Sequence, residues 1–93
     1  MGTAQIRDAF NQAVNGQLVC TRARLTYERQ NDVEYQRLEF DGHFVRNSEP
    51  FTIRSDRIGK QGDLLAATRD TAARALKMGA ANANPQPDPQ AGS

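Results

Sequence analysis

Between Gln17 and Arg46 apolar and polar residues alternate almost one by one, and the phase of the alternation reverses once. In the first half Val19, Thr21, Ala23, Leu25 and Tyr27 take the odd positions, with Cys20, Arg22, Arg24 and Thr26 between them. After Asn31-Asp32 the apolar residues Leu38, Phe40 and Phe44 are even, while Tyr35, Arg37, Glu39 and Asp41 are odd. A period of two is what a strand with one dry and one wet face requires. Asn and Asp both tolerate the left-handed backbone of a two-residue hairpin turn. Folding the segment about Asn31-Asp32 predicts Leu25 opposite Leu38, Ala23 opposite Phe40 and Val19 opposite Phe44 on the dry face. Arg24 then meets Glu39 and Arg22 meets Asp41 on the wet face. The same register sets Gly42 opposite Thr21 and Cys20 opposite His43. A slip of one residue would spoil both faces together, so the pattern specifies one register.

The flanks predict helices. Ile6, Ala9, Phe10, Ala13 and Val14 fall on one stripe of a helix over Ala4 to Asn15, with Thr3 as N-cap and Gly16 as a left-handed C-cap. Asn47-Ser48-Glu49-Pro50 has turn composition, and Phe51 to Arg54 alternates again as a short third strand. Ser55 to Gly62 reads as a loop. From Asp63 to Met78 two adjacent stripes recur at helical spacing: Leu65, Thr68, Ala72 and Leu76 beside Leu64, Thr71, Ala75 and Met78. Asp63 at the start and Lys77 near the end suit the helix dipole, and Gly79 is expected to close the helix. Residues 80–93 (AANANPQPDPQAGS) hold no aromatic or branched aliphatic side chain, which predicts a disordered tail behind a compact domain of residues 1–79. The expected fold is α+β, one domain of α-β-β-β-α order, with both helices on one face of a three-stranded antiparallel sheet.

Composition narrows the chemistry. Ninety-three residues at a mean hydropathy of −0.73 suit one small core and a cytoplasmic protein, and no apolar run approaches the ~20 residues of a membrane span. Cys20 is the only cysteine and His43 the only histidine, so neither a disulfide framework nor a metal cluster is expected. Facing each other across the hairpin, those two would form either a nucleophile and its base or simply two small polar neighbours. Gly59-Lys60-Gln61-Gly62 opens a helix, where an anion can bind, but falls well short of a phosphate-loop motif. With no nucleophile elbow and no second histidine, the chain is not expected to be an enzyme or to carry a cofactor. Net charge is only +1, yet ten of the twelve cations are arginine, the cation best suited to interfaces.

The element order resembles that of the double-stranded-RNA-binding domain. That family carries a Lys-rich cluster entering its second helix and a His-bearing loop between its first two strands. The matching positions here are Lys60-Gln61-Gly62-Asp63 and Gln30-Asn31-Asp32-Val33, which offer one lysine followed by an aspartate and no histidine. The resemblance therefore rests on topology. The sheet face away from the helices should display Arg22, Arg24, Thr26, Glu28, Tyr35, Arg37, Glu39, Asp41, His43, Thr52 and Arg54. Of these Arg22, Arg24, Tyr35, Arg37 and Arg54 are the candidate partner-binding residues. The expectation is a small protein-interaction module, of the kind that phages and mobile elements carry as accessory proteins or inhibitors of host defence such as anti-CRISPR proteins. The alternative is a nucleic-acid-binding module using those arginines or Arg57, Lys60, Arg69 and Arg74. The first strand is long for an open edge and is expected to pair with a partner's strand or, through a homodimer, with itself.

Overall fold

The structure, a computed structural model, describes residues 2–83; the tail expected for 80–93 lies outside the described residues from residue 84 onward. Two helices and three strands follow in the expected order: α1 (Thr3–Ala13), β1 (Leu18–Gln30), β2 (Val33–Phe44), β3 (Pro50–Arg54) and α2 (Leu64–Ala83). The strands form one antiparallel sheet in the order β1-β2-β3. Its core joins Ile6, Phe10 and Val14 of α1 to Leu38, Phe40, Phe51 and Ile53 of the sheet and to Ala72 and Ala75 of α2. Phe10 stacks on Phe40 with ring centroids 4.5 Å apart, and the Phe51 ring lies 6.0 Å from Phe10. Offset stacking of this kind adds to the burial of the rings themselves. Alanines and threonines on the inner stripe of α2 let that helix come close to its neighbours. Thr68 and Thr71 bury their hydroxyls by donating back to the carbonyls of Leu64 and Ala67.

The turn is as the sequence predicts. Asn31 and Asp32 have φ of 54° and 65°, the doubly left-handed turn whose twist matches that of paired strands. From there down to Arg22↔Asp41 the register is the expected one, with Leu25↔Leu38, Ala23↔Phe40 and Arg24↔Glu39. Between Cys20 and Arg22 it slips. Thr21 is an extra residue, a β-bulge, and below it Cys20 faces Gly42, Val19 faces His43 and Leu18 faces Phe44. The predicted pairs Val19–Phe44, Thr21–Gly42 and Cys20–His43 are therefore not formed. The bulge turns Leu18 and Cys20 inward in place of Val19 and Thr21, and Cys20 is only 2% exposed.

Gly42 is what lets the strands approach there. A Cβ at that position would stand 1.9 Å from the Val19 carbonyl oxygen. Asn11 of α1 completes the arrangement from the other side. Its carboxamide accepts from the Cys20 N–H at 2.7 Å and donates to the Cys20 carbonyl at 3.0 Å, so one side chain stands in for a neighbouring strand.

The helix ends differ in detail from expectation. Gly2, not Thr3, is the N-cap of α1, and its N–H donates to the Gln5 side chain at 3.3 Å. Val14 is the C-cap of that helix. Gly16 is left-handed as expected (φ 78°), and Asn15 before it shares that conformation. Gly79 does not close α2, which continues to Ala83. It packs closely instead: a Cβ on Gly79 would lie 3.3 Å from the Phe44 ring. The loop after β3 is also more ordered than its composition suggests. Ser55 continues the pairing with Leu38, and Ile58 exchanges two main-chain hydrogen bonds with Gln36 at 2.7 and 2.8 Å.

Candidate interaction surface

Because both helices pack on the face that carries Leu38, Phe40 and Ile53, the opposite face of the sheet stays uncovered among the described residues. Alternation places Arg24, Thr26 and Glu28 of β1 there, beside Arg37, Glu39 and Asp41 of β2 and Thr52 and Arg54 of β3. The charges interlock more diagonally than direct cross-strand pairing predicts. Glu39, 14% exposed, receives Arg24 on one oxygen and Arg54 on the other at 3.2 Å. Asp41 faces Arg22 across the strands but engages the Thr52 hydroxyl at 2.7 Å and Arg24 at 3.5 Å. Among the described residues Arg22 makes no ion pair, and Arg54 engages Glu39 rather than Asp41.

The arm of the hairpin holds a second cluster. Arg37, its side chain 23% exposed, sets Nε 3.1 Å from Oε1 of Glu28. Both atoms are cut off from solvent, and they meet at ion-pair distance without an aligned N–H···O bond. Arg57 reaches the same carboxylate oxygen at 3.5 Å and lies 5.8 Å above the Tyr35 ring, within cation–π range. Glu28 therefore gathers two guanidiniums, and one of them, that of Arg57, lies over the Tyr35 ring. Val33, 48% exposed, stands on the same face at the tip. Alternation does not assign Arg57 to this surface, because it comes from the loop after β3. The Ser55–Leu38 pairing and the Gln36–Ile58 bridge bring that loop to the sheet, and Ile58, an isolated apolar residue between Arg57 and Gly59, is the hint of it in the sequence.

Of the residues singled out from sequence, Arg24 and Arg54 thus meet at Glu39, Arg37 and Tyr35 meet around Glu28 and Arg57, and Arg22 stands apart. The alternative set does not converge. Lys60 pairs with Glu34 at 3.5 Å, and Arg74 donates to the Arg54 carbonyl at 2.7 Å. Arg57 and Arg74 line a cleft of about 340 Å³ whose other walls include Asp56, Asp63 and Asp70, a poor setting for phosphate. The helix N-terminus proposed for an anion already holds one, since Asp63 accepts from the N–H groups of Leu65 and Ala66 at 3.0 and 3.1 Å.

Cys20 and His43 are not partners. The thiol points into the core and donates to the Arg22 carbonyl at 3.3 Å, while His43 pairs with Val19 one position away. Burial raises the Cys20 pKa above its ordinary value, which keeps the sulfur in its unreactive thiol form. Among the described residues no group of three His, Cys, Asp or Glu side chains could hold a metal ion, and no helix is long and apolar enough to cross a membrane. No protein-family model, curated protein or solved structure matches this chain.

Proposed function

We propose that this protein is an interaction module without catalytic activity of its own, and that it binds a protein partner across the open face of its sheet. Tyr35, Arg37 and Arg57 are the anchors, Glu28 holds them in place, and Arg24 and Arg54 form the flank. The observation that carries this reading is the gathering of two guanidiniums and an aromatic ring around one carboxylate on an uncovered surface. Arginine and tyrosine supply most binding hot spots, and side chains held in position before contact lose less entropy when a partner arrives. Glu28, Glu39 and Asp41 stand among the arginines and oppose a polyanion, so the face favours a mixed-charge protein surface over nucleic acid. A module of this kind acts by occupying a partner's surface, as an inhibitor of host defence carried by a phage or mobile element would.

The test compares immobilised wild type with Tyr35→Ala, Arg57→Ala and, as a distant control, Arg69→Ala for proteins retained from host lysate at rising salt. A specific protein should stay bound to wild type and Arg69→Ala, with its affinity falling roughly 30-fold or more for the two anchor variants. Retention of nucleic acid alone, released steeply by salt, would sink the reading, as would a partner indifferent to Tyr35 and Arg57.

A further inference from the structure

The outer edge of β1 is guarded along part of its length. In a two-residue hairpin the pair closing the turn, Gln30 and Val33, is hydrogen-bonded, and alternate pairs below it follow suit. Glu28, Thr26 and Arg24 therefore turn their main-chain groups toward β2. Gln36, one step out of phase on β2, points the other way and bonds Ile58, as this parity requires. It follows that Ala23, Leu25, Tyr27 and Arg29 send their N–H and C=O groups away from the sheet. Cys20 does so as well, but Asn11 takes both of its groups. The first turns of α1 lie beside Thr21, Arg22 and Ala23, where Thr3, Ala4 and Arg7 share a shallow cleft with them. Among the described residues Tyr27, further along the edge, is 68% exposed.

We infer that this edge is closed by β1 of a second copy, antiparallel, with Thr26 on the two-fold axis. Outward-facing residues must meet outward-facing residues, so only registers differing by two residues are allowed. Asn11 limits how far the second copy's turn can advance, because Cys20 has no main-chain group left to offer. The longest pairing that respects this limit sets Arg22 opposite Gln30 of the second copy. Ala23 then faces its Arg29, Arg24 its Glu28, Leu25 its Tyr27, and Thr26 its Thr26. In this register each Arg24, its side chain 43% exposed, meets a Glu28, 39% exposed, in the closer type of cross-strand pair. Each exposed Tyr27 covers a half-buried Leu25 on the other face. Advancing two residues toward the tip sets Arg24 against Gln30 and Leu25 against Arg29, losing both ion pairs and both apolar contacts. Length and charge thus select the same alignment. Arginine does not stand opposite arginine in this register, because Glu28 lies opposite Arg24 on both sides of the axis. The product is one continuous sheet with the helices of both copies on one side and two open faces merged on the other.

The inference is separate from partner binding and is read on the purified protein alone. Sedimentation should give a dimer for wild type and a self-association constant weakened roughly tenfold for Arg24→Glu or Glu28→Arg, each of which opposes like charges twice. Mixing those two variants should restore the dimer as a heterodimer. The glutamate introduced in one copy then meets the arginine introduced in the other, and the unchanged Glu28 of the first meets the unchanged Arg24 of the second. A merely local disturbance of the ion-pair ladder would not be repaired by mixing. Under mild oxidation Thr26→Cys should cross-link about tenfold more than Arg24→Cys or Glu28→Cys alone, with wild type as the control for Cys20. A protein that stays monomeric, a mixture that does not associate, or cross-linking strongest at another position would overturn the assignment.

Discussion

The hairpin has two halves built from the same ladder and held by different forces. Up to Leu25 and Leu38 the strands lie against the helices: Leu18, Cys20, Leu38, Phe40 and Phe44 are buried, and apolar surface and close packing hold them. Beyond that point Tyr27 and Val33 are exposed, and the arm stands on its turn, its main-chain ladder and ion pairs of Glu28 and Glu34. The Glu34 pairs are exposed, and pairs of that kind contribute about 0–1 kcal/mol each. The base is therefore the part that folds the chain, and the arm is the part free to vary in what it displays.

Deleting a ring at the base should do far more than trimming the arm. Phe40→Ala, which removes the ring stacked on Phe10, should cost about 3–5 kcal/mol in urea melts, while Val33→Ala should cost about 0.5 kcal/mol or less. Comparable losses would mean the arm is packed as tightly as the base. Asn11→Ala tests the junction. It strips both hydrogen bonds from Cys20 and should cost roughly 1–3 kcal/mol, with the Cys20 amide exchanging faster and the amides of the arm unchanged.

The smallest effect concerns pH. Burial raises the folded-state pKa of Cys20, so its contribution to stability is complete below the unfolded thiol pKa of about 8.5 and is lost as pH rises through the folded value. Stability should accordingly decline on the alkaline side more steeply in wild type than in Cys20→Ala, measured by urea melts from about pH 8 to about pH 10. Equal slopes would show that the thiol titrates alike in the folded and unfolded states.

The arm was legible in the sequence because its register follows from two local signals, a left-handed turn pair and charges that match across it. The base was legible only in part. Leu18, Val19 and Cys20 are apolar in succession, so alternation placed Val19 inward where the structure buries Leu18 and Cys20. What placed the bulge at Thr21 was not legible, since it depends on Gly42 admitting the Val19 carbonyl and on a side chain from α1. Such contacts join residues far apart in the chain and leave no periodicity. The same holds for Gly79, whose position after a helical stripe suggests a C-cap but whose missing side chain makes room for Phe44. On the open face the membership of Arg24, Arg37 and Arg54 followed from alternation alone. For Arg24 the register also named its acid, Glu39, but for Arg37 it did not, because Glu28 is a diagonal neighbour and long side chains reach such neighbours as readily as direct ones.

The bulge also makes the hairpin modular. Thr21 is in effect a one-residue insertion that the sheet has absorbed, and the registers above and below it are set independently. The ladder from Arg22 to Asp41 therefore has its own turn and its own pairing, joined to the body at a single seam. Its tip beyond Tyr27 and Gln36 behaves as a cassette. Lengthening that tip by two residues on each strand preserves which side chains face the helices, so longer, shorter or rewritten tips fit the same body without disturbing Leu18, Cys20 or Phe44.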